Sequence, residues 1–365
     1  MLIGIDASRA TRVERTGTEN YALHLIQALL ALDHANAYRL YVQQPPPVGL
    51  FASQAQVRQI DVPRLWTLLG LSAEMLRAAP DVLFVPAHVL PLVHPRRSVV
   101  TVHDLGYHYF PEAHTRAQRA YLAWSTRYAV RHASRLIAVS QATKNDLVRL
   151  YGADEQRVDV VHHGVDRAQG TGDRGQFEQL RARLQLPERY ILSIGTIQPR
   201  KNYGRLIEAF SSLDWQAGVA LVIAGKPGWQ AEPIVAQARR AGVILAGHLR
   251  EDEKVALLAH ASVFALPSLY EGFGMPILEA QAAGVPVVTS NTSSCPEVAG
   301  GAAEAAGALL VDPLDTRAIA TALKQALADE SLRSQLRARA NANVARFSWE
   351  QCARQTLDVL LHPIG

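Results

Sequence analysis

Short apolar, β-branched runs alternate with helical spacing twice along this chain of 365 residues. LIGID, YRLYVQ, DVLFVP, SVVTVHD, RLIAVS and VDVVHHG occupy the first part, up to about residue 165. A run that is apolar at nearly every position has both of its faces covered. Strands of that kind, separated by helices, build a parallel α/β sheet. From Asp166 to Arg189 the sequence turns polar and glycine-containing (DRAQGTGDRG) before a short helical pattern, where a linker is expected. A second series follows: YILSIGT, VALVIAG, GVILAG, SVFALPS and PVVTS, with helices expected over Asn202–Ser211, Glu251–Ala261 and Pro276–Ala283. The pattern predicts two Rossmann-like domains of α/β class, 1–170 and 171–347. Ligands of open parallel sheets bind beyond the carboxyl ends of the strands, so the loops that leave these runs are where chemistry is expected.

Composition narrows the class. A length of 365 residues favours two domains over one, and 48% hydrophobic with 19% charged residues describes a water-soluble chain. No uninterrupted apolar stretch reaches the ~18 residues of a membrane span. MLIGIDASR reads as a buried strand, not an export signal. Cys295 and Cys352 are too few for a disulfide framework, so a cytoplasmic, reducing setting is expected.

The net charge of +4 is modest, but cations gather between residues 114 and 149. Arg116, Arg119, Arg127, Arg131, Arg135, Lys144 and Arg149 lie there, interleaved with Tyr121, Trp124 and Tyr128. The plain reading is a solvated helix face. The functional reading is contact with a phosphorylated acceptor or with the inner membrane face as a peripheral protein. No zinc-finger spacing, RNP-like aromatic motif or basic tail supports nucleic acid.

The most informative segment is PSLYEGFGMPILE, Pro267–Glu279. Gly272 and Gly274 leave backbone N–H groups uncovered, and a helix beginning near Pro276 turns its positive end toward an anion, an arrangement suited to a diphosphate. Seven residues separate Glu271 from Glu279, placing one acid on the turn and the other about one turn inside the helix. At roughly 12 Å they address opposite ends of a ligand, too far apart for a glycosidase pair. Arg200 and Lys201 follow the strand YILSIGT directly; arginine grips phosphate oxygens bidentately and lysine acts as a point charge. Gly17, in RTGTENYA, offers a second helix start, with a plain turn capped by Thr18 as the alternative. No Asp-x-Asp pair follows a strand and no His or Cys cluster has ligand spacing, so no metal is expected.

These residues carry a resemblance. EGFGMPILEAQAAGVPVVTSNTSSCPEVAGGAA resembles the Glu-x7-Glu donor site of retaining glycosyltransferases of family 4, which have the GT-B fold of two Rossmann-like domains with a deep interdomain cleft. SIGTIQPRKNYGRLIEAF is similar to the family's phosphate-binding segment, TVHDLGYHYFP to its N-domain active-site loop, and RLIAVSQATKNDL and VVHHGVD to its interdomain strands. FSWEQCARQTLDVLL looks like the terminal helix that returns to the first domain, which adds residues 348–365 to it.

The resemblance implies site residues. His103, Arg200, Lys201 and Glu271 would be catalytic. Gly17, Gly195, Thr196, Gly272, Phe273, Gly274, Met275, Leu278 and Glu279 would bind the donor. Glu271 would meet the sugar hydroxyls, beside the amides of Phe273, Gly274 and Met275. A carboxylate at Glu279 can accept from both hydroxyls of a ribose. Many members carry an arginine directly after the phosphate-segment glycine, where this chain has Thr196. The implied activity is metal-independent, retaining hexosyl transfer from a nucleotide sugar to a glycan or lipid-linked acceptor, with no further cofactor. GT-x-x-PRKN is similar to a subgroup using GDP-mannose, the first choice of donor; a UDP-hexose is the alternative, as is an epimerase acting without an acceptor. A nicotinamide oxidoreductase is disfavoured because DASRATRVERTG, not a GxGxxG turn, follows the first strand.

Overall fold

The computed structural model describes residues 1–12, 17–62, 65–166, 174–213, 218–302 and 305–362. The chain forms two compact units. One comprises Met1–Gly164 with Phe347–Gly365, the other Val165–Arg346.

Among its described residues the first unit holds seven parallel strands: β1 Leu2–Asp6, β2 Ala37–Val42, β3 Ala55–Gln59, β4 Val82–Val85, β5 Ser98–Val102, β6 Arg135–Ala138 and β7 Val158–Val160. Their order is β3-β2-β1-β4-β5-β6-β7. β4 and β5 are buried at every position because helices cover both faces. β3, AQVRQ, was not among the predicted runs; it is an edge strand with four of five residues exposed, so its sequence carries no apolar signature. The C-terminal helix Trp349–Leu361 contributes Cys352, Ala353, Val359 and Leu360 to the same core as Leu25, Ile26 and Leu29 of the helix Gly17–Leu32.

The second unit repeats the plan with six strands among its described residues: β8 Arg189–Ile194, β9 Val219–Ala224, β10 Ile244–Gly247, β11 Val263–Leu266, β12 Val287–Ser290 and β13 Ala308–Val311. Their order is β10-β9-β8-β11-β12-β13, all parallel. β13, within GALLVD, is the other strand that the apolar runs did not predict. Sheet order reverses between β8 and β11, so their two exit loops part company at the point where doubly wound sheets bind ligands. Those loops are 195–202 and 267–274, the segments the sequence singled out. The helices expected here form at Tyr203–Ser211, Glu251–Ala259 and Met275–Ala282. Of the expected linker, residues 167–173 lie outside the described residues, and the helix Arg174–Leu184 follows them.

Candidate functional site

The exit loops of β8 and β11 are stitched to one another before any side-chain chemistry is considered. Leu269 N–H donates to the Arg200 carbonyl at 2.9 Å, and the Arg200 guanidinium donates to the Tyr270 carbonyl at 2.8 Å. Asn202 adopts the left-handed conformation (φ 60°), which asparagine tolerates better than most residues. From there its buried amide reaches the carbonyls of Pro267 (2.9 Å) and Pro313 (2.7 Å), joining the loops after β8, β11 and β13. On the β9 side the packing is just as close. A Cβ at Gly225 would lie 2.0 Å from the Gly195 carbonyl oxygen, so only glycine lets these two loops touch. Thr196 is exposed beside them.

This scaffold brings three of the expected residues together. The Lys201 ammonium donates to Glu271 Oε1 at 2.6 Å, and Arg200 donates to Oε2 at 3.1 Å. Ser268 adds a hydroxyl donor to Oε1 at 2.6 Å. Glu271 N–H donates to Ser293 Oγ at 3.0 Å, and Ser294 Oγ lies 2.9 Å from the Glu271 carbonyl and 2.7 Å from that of Phe273. Glu271 and Lys201 are buried. Burial pushes the Glu271 carboxyl up, but Lys201, Arg200 and Ser268 outweigh it and hold the pKa down to about 2. The carboxylate stays ionised, and the two cations keep a net positive charge beside the turn that follows.

That turn runs into the helix Met275–Ala282, capped by Gly274 at φ 104°, a conformation that a side chain would strain. Phe273, Ile277 and Leu278 are buried and lock the helix against the sheet. Glu279 lies on this helix but does not join the Glu271 cluster; its Oε1 accepts from Lys254 at 2.9 Å. Asn202, Lys254, Ser268, Ser293 and Ser294 were not singled out from sequence. Asn202 stands within the quoted PRKN, where an asparagine, a residue that tolerates the left-handed conformation, was the readable signal; Lys254 and the serines carry no local one.

His103 and Gly17 belong to the first unit. His103 follows β5 and is buried, with Nε2 3.0 Å from the Pro86 carbonyl. Tyr21 meets it edge-on at 4.8 Å, and His163 lies 5.7 Å away between ring centres. Burial, with His88 nearby, lowers its pKa to about 4, so the ring is neutral at ordinary pH. Gly17 is the first residue of its helix; Thr18 is already inside that helix and is not its cap. Residues 13–16 of the preceding turn lie outside the described residues.

The basic segment divides. Arg135 pairs with Asp159, Arg149 with Asp146, and Lys144 with Glu155. The other four cations lie on the helix Arg116–His132, which has no acid and opens with a capping box between Thr115 and Gln118. Tyr121 and Trp124 are each 41% exposed, and Trp124 stacks on Tyr128 at 5.6 Å. Among the described residues no helix is long and apolar enough to cross a membrane.

Known proteins resemble this chain over most of its length. The family profile Glycosyltransferase Family 4 matches residues 15–169, and Glycosyl transferases group 1 matches 176–343. The O-antigen chain mannosyltransferase B of Escherichia coli is 33% identical over 269 residues, 72% of this chain and 69% of the relative. The chain belongs to glycosyltransferase family 4. The serotype-specific mannosyltransferase WbdA of Escherichia coli is 33% identical over 236 residues, but these cover only 28% of that longer protein. This family 4 glycosyltransferase also has the GT-B fold, two Rossmann-like domains of parallel sheet. Its likeness to sucrose-phosphate synthase from Thermosynechococcus elongatus covers 98% of each chain with a TM-score of 0.77, at 19% identity.

Proposed function

We propose that this glycosyltransferase moves a hexose, in the first place mannose from GDP-mannose, from a nucleotide sugar to a glycan or lipid-linked acceptor. The observation that carries the reading is the buried Glu271 held by Lys201 and Arg200 directly before the glycine-capped helix that bears Glu279. Positive charge and a helix start suit the diphosphate, and acids on either side suit the sugar and the ribose. Mannose is supported by the names of the two relatives, both mannosyltransferases.

Glu271 is assigned to the sugar hydroxyls, Arg200 and Lys201 to the diphosphate, and Glu279 to the ribose. Gly195, Thr196, Gly272, Phe273, Gly274, Met275 and Leu278 line the donor, Gly17 adds a second helix start, and His103 contacts the transferred sugar. In the retaining, front-face reaction the bond from the anomeric carbon to the β-phosphate oxygen breaks. A bond to the acceptor oxygen forms on the same face, and the acceptor proton passes to the departing phosphate. Arg200 and Lys201 stabilise the charge that grows on that phosphate, so no metal is required. Residues 1–170 with 348–365 serve the acceptor, and 171–347 serve the donor. The helix Arg116–His132 rests on an anionic membrane surface at the cytoplasmic side.

The test is nucleotide release from GDP-mannose and from UDP- and ADP-hexoses, with and without glycan acceptors, followed by proton NMR of the product anomer. Acceptor-dependent release with retained configuration supports the reading. Conversion of the donor into a different sugar nucleotide without acceptor and without net nucleotide release points to an epimerase, and inversion removes the front-face mechanism.

A further inference from the structure

Two anchored helices of the second unit meet at Lys254 and Glu279. The helix Glu251–Ala259 is fixed at its start by Glu253, which accepts from Arg250 N–H at 2.9 Å and pairs with Arg183 at 2.9 Å. The helix Met275–Ala282 is fixed by the fully buried Gln281. Its amide donates to the carbonyls of Ala299 and Gly307, each at 3.1 Å, and its Oε1 accepts from Asn343 at 2.7 Å. Between these helices the Lys254 ammonium spans Glu279 Oε1 at 2.9 Å and Glu251 Oε1 at 2.7 Å.

This is not an ordinary surface pair. The Lys254 and Glu279 side chains are 16% and 17% exposed, so ordering the long lysine is supported by packing as well as by charge. Burial pulls the Lys254 pKa down, but Glu279 and Glu251 outweigh it and raise it, keeping the ammonium charged. One cation against two carboxylates leaves a net negative charge, so Glu279 keeps its strength as an acceptor. Only Oε1 of Glu279 takes a hydrogen bond; among the described residues no protein donor bonds to Oε2.

We propose that Lys254 is a positioning residue for the donor: it clamps Oε1 of Glu279 so that Oε2 is presented to the ribose hydroxyls of the nucleotide. The inference rests on the reading of Glu279 as the ribose carboxylate. A carboxylate at the end of a flexible side chain loses orientational freedom when it binds a diol. One already held by a partly buried ammonium has lost most of that freedom beforehand, and binding gains accordingly. Glu251 shares the ammonium, which keeps Lys254 from neutralising Glu279 outright.

Isothermal titration of the full chain decides the matter, using GDP or UDP, whichever binds the wild type more tightly, and its 2′-deoxy analogue. The wild type is expected to favour the ribose form about tenfold, the value of a hydrogen bond to a charged group, and Glu279→Gln to lose that preference. Lys254→Met is expected to lose most of the preference while binding the deoxy form within about twofold of wild type. In the Glu279→Gln background Lys254→Met is expected to add less than about a twofold loss, since nothing remains to be positioned. Lys254→Gln gives the same readout if the methionine variant does not fold. Wild-type preference in the Lys254 variant, or losses that multiply in the double variant, overturns the role given to Lys254. A wild type that binds both forms alike, or a Glu279→Gln that still prefers ribose, overturns the reading of Glu279 first and this inference with it.

Discussion

Lys201 and Glu271 form a buried ion pair at 2.6 Å, each side chain less than a tenth exposed, across seventy positions of sequence. Removing either partner leaves a charge in a place that water barely reaches. Such single truncations cost about 3–5 kcal/mol, whereas replacing both partners by apolar groups of similar volume costs far less. Arg200, 21% exposed, softens the loss of Lys201 but not that of Glu271. Urea unfolding should therefore find Glu271→Ala the least stable variant, Lys201→Ala intermediate and the Lys201→Met, Glu271→Met double variant closest to wild type. All three should lose at least about a hundredfold in turnover. Turnover near the parental rate in either single variant removes the site assignment, whatever the stability.

The same pair has an acid limit. The folded pKa of Glu271 lies at about 2 against an ordinary 4.5, so the folded state binds fewer protons than the unfolded one between these values. Its contribution is complete above about pH 4.5 and disappears as pH falls toward 2. His103 acts higher on the scale. Burial, with His88 nearby, lowers its pKa from 6.5 to about 4, so here too the unfolded state takes up the proton more readily. Stability from the neutral ring is present above about pH 6.5 and is lost as pH falls toward 4, by roughly 3 kcal/mol in all. His163, lowered by burial and by His103, works in the same direction. The urea midpoint should drop between pH 7 and pH 5, and His103→Asn should flatten that slope; an unchanged slope would show that the buried rings do not set it.

What the sequence disclosed, and what it did not, follows from how each residue announces itself. Strands buried on both faces, such as SVVTV and VFAL, are apolar at most positions and are therefore legible. The edge strand AQVRQ pairs on one side and faces water on the other, so nothing in its composition marks it. Glu271, Arg200 and Lys201 could be singled out because they flank strand ends and a glycine turn. Their mutual pairing was not, since contact across seventy positions has no local trace. Lys254 is hidden for the same reason: on its own helix it reads as the partner of Glu251 three residues earlier, and only the fold shows Glu279 beside it.

Gly225 is a glycine for a steric reason that makes a sharp test. A methyl group there would meet the Gly195 carbonyl oxygen at 2.0 Å, well inside contact distance, and backbone cannot yield as a side-chain tip does. Gly225→Ala should push the β9 exit loop away from the β8 exit loop, at a cost on the order of 3 kcal/mol. Because Gly195 and Thr196 belong to the expected diphosphate segment, KM for the donor should rise more than kcat falls. A variant with unaltered melting temperature and KM would mean that the loops adjust freely.

Asn202 offers a way to separate backbone conformation from hydrogen bonding. Its amide reaches the carbonyls of Pro267 and Pro313 from a backbone at φ 60°, so alanine loses both the bonds and the conformation. Glycine keeps the conformation and loses only the bonds. Each buried carbonyl left without a donor costs about 1–3 kcal/mol. Differential calorimetry should rank wild type above Asn202→Gly and Asn202→Gly above Asn202→Ala; equal losses in the two variants would show that the left-handed backbone costs nothing here.

The helix Arg116–His132 combines Arg116, Arg119, Arg127 and Arg131 with the exposed rings of Tyr121 and Trp124, and it carries no acid of its own. Basic groups near an anionic bilayer contribute about 1 kcal/mol each, an attraction that fades within a Debye length, while interfacial aromatic rings contribute independently of salt. Cosedimentation with vesicles of phosphatidylglycerol and phosphatidylcholine should therefore show binding that weakens steeply between about 50 and 300 mM salt. Replacing Arg119, Arg127 and Arg131 by glutamate should abolish it, and Trp124→Ala should lower it with little change in salt dependence. Equal binding to neutral and anionic vesicles, or none to either, leaves this helix as a solvated face and nothing more.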